Sequence, residues 1–282
     1  MNTPRAALPS DESFYLTRIR YGMQAFFTLG VLLIGIRHLL PGKIAHAGSF
    51  DAFCPFGAIE SLWVYIKTGE TLLTTNLLNF SILFGVLGVS FIAGRAFCGW
   101  MCPLGAIQDL LAGVTNKLAR PSRREHNNSI LTSLPLRRFP KVDGWLRKLK
   151  YLVLAIVLIA SIRAVYPPLH DICPVRAIFG LQLSTPLLWS VLVTFGITSM
   201  LHRRFWCKYL CPLGGGLAIF NRLSPLRIFV DRKRCTACSR CEADCPMDIP
   251  DISNNTRDTE CIRCLTCLET CSQPEAMTLR LG

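Results

Sequence analysis

The chain has 282 residues, 51% of them hydrophobic and 17% charged, with a formal net charge of +13 at pH 7. Average soluble chains are nearer a quarter charged, so the composition argues against an ordinary soluble globule, and its apolar mass excludes disorder. The length excludes a small disulfide-stapled secreted domain, which leaves fourteen cysteines to be explained by where they fall.

In chain order, residues 1–20 read as a cytoplasmic N-terminal segment. Four apolar stretches follow, at 21–40, 77–93, 149–166 and 181–201. A membrane-spanning helix needs roughly 20 residues, with about 17–25 tolerated, and each stretch is read as a span. Basic residues concentrate between the second and third: Lys117, Arg120, Arg123, Arg124, Arg137, Arg138, Lys141, Arg147, Lys148 and Lys150. Arg18 and Arg20 precede the first stretch, and Arg203, Arg204 and Lys208 follow the fourth. The two remaining loops carry few: Lys43, Lys67 and Arg176. Excess Lys and Arg mark the cytoplasmic side. The reading is therefore four spans in a bacterial inner membrane with both termini cytoplasmic. This accounts for the basic charge without nucleic acid. The first apolar stretch is too long for a cleaved signal and lacks a small-residue cleavage site, so it reads as a retained anchor.

The membrane half repeats itself, as residues 21–110 and 149–224 on either side of a basic cytoplasmic loop at 111–148. The first copy has Ile36-Arg37, Cys54-Pro55, Arg95, Cys98 and Cys102-Pro103-Leu104-Gly105. The second has Ile162-Arg163, Cys173-Pro174, Arg204, Cys207 and Cys211-Pro212-Leu213-Gly214. Each copy is predicted as helix, outer Cys-Pro loop, helix and inner Cys-x-x-x-Cys-Pro, the two related by an axis along the membrane normal. Pro103 and Pro212 are expected to open new helices, because the first helical position needs no N–H. The cysteine pairs would then sit just before helix N-termini, where the dipole lowers a thiol pKa. For Cys98, Cys102, Cys207 and Cys211 three chemistries stand open: a further redox cluster on the pseudo-twofold axis, a thiol–disulfide relay, or structural docking. Cys54 and Cys173, on the opposite side, have three readings as well: pairing with each other, binding a metal, or receiving electrons.

Ionisable residues near the outer ends of the spans are functional candidates by default. Arg37, His38 and Arg163 lie there, and His170 and Asp171 just precede Cys173. A quinol headgroup needs hydrogen-bond partners and a proton acceptor, which a His beside a carboxylate supplies. The competing reading is arginines reaching to lipid headgroups and ordinary loop polarity.

From residue 225 to 282 the character changes. Cys235, Cys238, Cys241 and Cys245 form C-x-x-C-x-x-C-x-x-x-C, followed by Pro246; Cys261, Cys264, Cys267 and Cys271 repeat the spacing, followed by Ser272. This is the bacterial ferredoxin pattern for two [4Fe–4S] clusters, in which the fourth cysteine of each run serves the other cluster. One cluster is assigned to Cys235, Cys238, Cys241 and Cys271, the other to Cys261, Cys264, Cys267 and Cys245. Zinc sites prefer two paired ligand sets and cytoplasmic disulfides are rare, so both fit poorly. No nucleotide-binding glycine motif or hydrolase constellation stands out.

With four spans, the inner motifs ending at Pro103 and Pro212, and the eight-cysteine tail, the chain resembles the NapH/MauN type of membrane ferredoxin over about residues 18–281. It is similar to the membrane half of NosR and, more distantly, to the copper-reducing CcoG proteins. The resemblance implies a mainly α polytopic membrane protein with a C-terminal α+β ferredoxin module. It implies electron transfer at the inner membrane, commonly as a quinol dehydrogenase subunit that exchanges electrons with the quinone pool and a periplasmic redox protein, with a second ferredoxin-type subunit as a further partner. The outer Cys54-Pro55 and Cys173-Pro174 point to the MauN- or NosR-like side. The alternative is a maturation factor that sends reducing equivalents outward for cofactor assembly in a periplasmic enzyme.

Overall fold

The computed structural model describes residues 10–39, 77–118, 140–163, 173–179, 186–254, 258–273 and 276–281, and these are mainly helical. The first half comprises α1 (Ser10–Leu39), α2 (Leu77–Ala93), α3 (Ala96–Trp100) and α4 (Pro103–Leu118). The second comprises α5 (Pro140–Arg163), α6 (Pro174–Phe179), α7 (Pro186–Leu201), α8 (Phe205–Tyr209) and α9 (Pro212–Leu223). Five of these helices start on a proline, at the position where a missing N–H costs nothing. Helices α4 and α9 start on Pro103 and Pro212, as the motif predicts. Three boundaries differ from the sequence reading. Helix α1 starts within the segment assigned to 1–20, α4 continues past residue 110, and α5 begins before 149. No proline interrupts 10–20, 104–118 or 141–150, so each helix propagates through the polar residues that flank its apolar run.

The two halves repeat in three dimensions. Helix α1 packs on α3 and α4, and α5 packs correspondingly on α8 and α9. Across the halves, α4 packs on α7 and α9 on α2. The backbone turns match as well: Cys102 N donates to Phe97 O at 3.0 Å, and Cys211 N to Trp206 O at 2.8 Å. Helix α6, which follows Cys173, lies against α1 so closely that a Cβ on Gly35 would stand 1.8 Å from Phe179 O.

Among the described residues one helix is long and apolar enough to cross a membrane, over Tyr15–Ile36, and two shorter apolar helices are present, Ser81–Ala93 and Pro186–Leu201. The outward faces of α1, α2, α5 and α7 carry large exposed apolar side chains, among them Phe26, Phe84, Ile156 and Trp189. Contiguous apolar surface on this scale needs lipid or protein to cover it.

The C-terminal module is closed by an antiparallel ribbon of β1 (Leu226–Val230) and β2 (Met277–Leu281), with Leu226 opposite Leu281 and Val230 opposite Met277. Between the strands lie two short helices, α10 (Arg240–Ala243) and α11 (Thr266–Glu269). The module is packed on the helices rather than tethered to them. Val86, Cys98 and Leu217 join Met247, Ile249, Ile252, Ile262 and Met277 in one apolar core.

Candidate functional site

Each cysteine run of the module folds by the same backbone device. The residues two and four after the first cysteine have positive φ: Ala237 (51°) and Ser239 (55°) in the first run, Arg263 (49°) and Leu265 (62°) in the second. Left-handed residues alternating with right-handed ones turn successive N–H groups inward, the concave arrangement found at many Fe–S sites. A one-turn helix then follows each loop and carries the third cysteine, Cys241 in α10 and Cys267 in α11.

The fourth cysteines lie across from their own runs. Cys245 is electrostatically coupled to Cys264 and Cys261, and Cys267 in turn to Cys264, Cys261 and Cys245. Cys241 has Cys271 and Cys238 for neighbours, and Cys238 Sγ is 3.8 Å from Ser272 Oγ. A cavity is lined by Cys245, Cys261, Cys264 and Cys267 together with apolar residues including Ile249 and Ile262. The donor set and the enclosing shell fit a four-iron cluster. Burial pushes the Cys245 thiol up to about 12 and the Cys261 thiol up to about 11, so binding there is coupled to proton release. Cys238, in the first run, is exposed.

The structure also brings Cys98, Cys102, Cys207 and Cys211 together from the two halves. Cys102 and Cys211 both feel Cys98 and Cys207. Arg204 Nη1 donates to Cys98 O at 2.8 Å and Arg95 Nη2 to Cys207 O at 3.3 Å, so each half's arginine holds the other half's turn. Both guanidiniums are fully buried. Arg204 pairs with Asp109, Nε to Oδ1 at 3.0 Å, and Arg95 Nη1 with Glu260 Oε2 at 2.9 Å. Gln108 Nε2 lies 3.2 Å from Cys207 Sγ, and Gly214 N donates to Cys211 Sγ at 3.4 Å. One expectation is overturned. The helix N-termini do not lower these thiol pKa values: burial raises Cys102 to about 12 and raises Cys207 and Cys211 as well. Desolvation of a thiolate outweighs the dipole of the following helix.

The module grips both halves at these turns. On the first, Arg20 Nη1 donates to Thr266 Oγ1 at 2.8 Å and Cys264 O at 3.2 Å, and Trp100 Nε1 to Arg263 O at 2.9 Å. On the second, Lys208 Nζ meets Asp248 Oδ2 at 2.9 Å, and Arg147 Nη2 donates to Asp248 O at 2.9 Å. Asn221 accepts from Arg95 N at 2.9 Å while its Nδ2 donates to Cys261 O at 2.7 Å. Sequence reasoning marked Arg95 and Arg204 only as repeat letters and missed Asp109, Gln108, Asn221 and Glu260. Asp109, the one acidic residue of α4 and eight places from its only other charge, Lys117, was the available signal.

The closest approach gives a direct prediction. A Cβ on Gly99 would stand 2.4 Å from Ile262 O, a backbone atom that cannot rotate away. Gly99→Ala is therefore expected to push the second-cluster loop off the first turn. The measurement is hydrogen exchange across residues 258–267, with protection falling about tenfold or more, a cost of at least about 1.4 kcal/mol; unchanged protection would refute the contact.

Of the other candidates, Cys54, His170 and Asp171 lie outside the described residues, and Arg37, His38 and Arg163 are described only as residues of α1 and α5. Cys173 is half-buried just ahead of α6. No disulfide joins any of the described cysteines.

The comparisons with known proteins agree with this chemistry. A family model described as a 4Fe-4S binding domain matches residues 75–121 and again 183–233, and one described as a 4Fe-4S dicluster domain matches 227–272. YccM of Escherichia coli K12, provisionally named an electron transport protein, is 29% identical over 84% of this chain and 65% of its own. The ferredoxin-type protein NapH of Haemophilus influenzae is 27% identical over 73% of this chain and 71% of its own. The methylamine utilization ferredoxin-type protein MauN of Methylorubrum extorquens is 29% identical over 68% of this chain and 59% of its own. The chain thus spans less than two thirds of the length of YccM and MauN. No solved structure matches it. Two 4Fe-4S domain types on one chain carry the conclusion: this is an iron–sulfur protein whose sequence matches the ferredoxin-type electron-transport proteins of the NapH/MauN type, to which NosR is related.

Proposed function

We propose that the chain is a multi-pass inner-membrane electron carrier, a quinol dehydrogenase subunit whose two ferredoxin clusters exchange electrons with the quinone pool and with a periplasmic redox partner. Iron–sulfur clusters, when bound, supply one-electron transfer over a wide range of potentials. The chain's own residues hold them, exclude water from the second and keep it against the helices. The observation that carries the reading is the docking of the Cys261, Cys264 and Cys267 loop on the turns of both halves, through Arg20, Trp100, Asn221 and Arg95. A module that served only a soluble partner would have no use for burying that loop. The apolar outward faces of α1, α2, α5 and α7 support four spans.

The test is an anaerobic quinol titration of the purified protein, with the clusters followed by low-temperature EPR. Reduction of the clusters by quinol is expected. Intact clusters that ignore quinol but accept electrons from a low-potential donor would overturn the dehydrogenase role.

One observation favours the maturation role as a second reading. The first run presents an exposed thiol at Cys238, which suits entry of electrons from a soluble reductant. Electrons would then run outward, towards a periplasmic enzyme under assembly.

A further inference from the structure

The two halves meet at a group of four cysteines that the ferredoxin chemistry leaves unused. Cys98 and Cys207 sit inside α3 and α8, and Cys102 and Cys211 immediately precede α4 and α9. The first two are buried and the other two half-buried. A four-iron cluster takes four thiolates, and each matched copy of the 4Fe-4S binding domain, 75–121 and 183–233, contains only two cysteines. Neither half can complete a cluster alone; the fold brings both pairs to one place.

The surroundings suit thiolates. Gln108 Nε2 points at Cys207 Sγ from 3.2 Å and Gly214 N at Cys211 Sγ from 3.4 Å, and donors to cluster sulfur are a main means of stabilising and tuning such centres. Buried Arg95 and Arg204 flank the group from opposite halves. The formal charges of buried Arg95, Arg204, Lys150, Asp109 and Glu260 sum to +1, and buried Arg20 and Arg263 lie nearby, so an anionic cluster meets a positive surround. The glycines let the two pairs of turns close on one another: a Cβ on Gly105 would lie 3.0 Å from Cys98 O, and one on Gly214 would lie 2.7 Å from Arg95 Nη2. A single metal ion fits less well. Among the described residues no three His, Cys, Asp or Glu side chains converge as ligands of one ion. The eight ferredoxin cysteines share that property, because thiols around a four-iron core stand farther apart than those on one ion.

We infer that Cys98, Cys102, Cys207 and Cys211 hold one [4Fe–4S] cluster shared between the two halves, a third cluster in this chain. It deepens the electron-transfer reading and rests on it: the second ferredoxin loop, at Cys264 and Arg263, lies directly against the turn that carries Cys98.

Iron and acid-labile sulfide counts on the anaerobically purified full chain test it. About twelve iron atoms per chain are expected, against about eight for the ferredoxin clusters alone. Cys98→Ala with Cys207→Ala should lose about four irons and one EPR signal while both ferredoxin signals persist. A wild-type count of about eight, with both ferredoxin signals present, overturns the third cluster and leaves the ferredoxin reading intact. A wild-type protein without the ferredoxin signals overturns that reading instead. If the double variant misfolds and loses all iron, Cys102→Ala alone assigns the site by the same count, and retention of about twelve irons in it counts against the inference.

Discussion

Replacing Glu260 with alanine is expected to release the ferredoxin module from the helices. Among the described residues Glu260 alone pairs with Arg95 and Lys150 at once, and both cations are fully buried. Removing one member of a buried ion pair costs about 3–5 kcal/mol, because the remaining charge stays unpaired in a low dielectric. Whole domains are stable by roughly 5–15 kcal/mol, so the docked state fails before the module itself unfolds. Hydrogen exchange over 258–267 and over α3 should rise together, while the iron bound by the module stays constant. Glu260→Gln keeps the shape and one acceptor and should fall between. Unchanged exchange in the alanine variant would show that the apolar core alone holds the module. The pH dependence has a definite sign. Burial pushes the Glu260 carboxyl up, but Arg95 and Lys150 together outweigh it and hold it below its usual range. The stability it contributes is present above the unfolded value of about 4.3 and is lost only as pH falls through the depressed one.

This triad also explains what could and could not be read from the sequence. The prolines, the cysteine spacings and the matched arginines are local, and the helix starts at Pro103 and Pro212 follow from them. The partners are not local. Arg204 finds Asp109 in α4 of the other half, but the matching position in α9, 109 residues on, is Ala218. Arg95 therefore has no carboxylate from the other half, and Glu260 of the module takes that place. A repeat written in matching letters cannot reveal a contact that breaks its own symmetry. The raised thiol pKa values have the same origin. A helix N-terminus is visible in sequence, whereas the burial that overrides it arises only when two halves and a module close over the turns.

The crossed ligand pattern yields the second large effect. Cys245 lies among Cys261, Cys264 and Cys267, and Cys271 beside Cys241, the placement expected if each run's last cysteine serves the other cluster. Single serine replacements of Cys235, Cys245 or Cys271 should each remove about four of the ferredoxin irons, which cannot by itself identify the pairing. Double replacements can. Cys235→Ser with Cys245→Ser strikes two different clusters and should remove about eight irons and both ferredoxin EPR signals. Cys235→Ser with Cys271→Ser strikes one cluster twice and should remove about four, leaving the signal of the second cluster in place. The reverse outcome would mean that each run closes its own cluster. The surviving cluster also reports on function: in the Cys235/Cys271 variant it is the one packed on Trp100, Arg20 and Asn221. If electrons enter from the quinone pool, quinol should still reduce it. If they enter at exposed Cys238, a soluble donor should reduce it at least tenfold more slowly than in the wild type, because the entry cluster is gone.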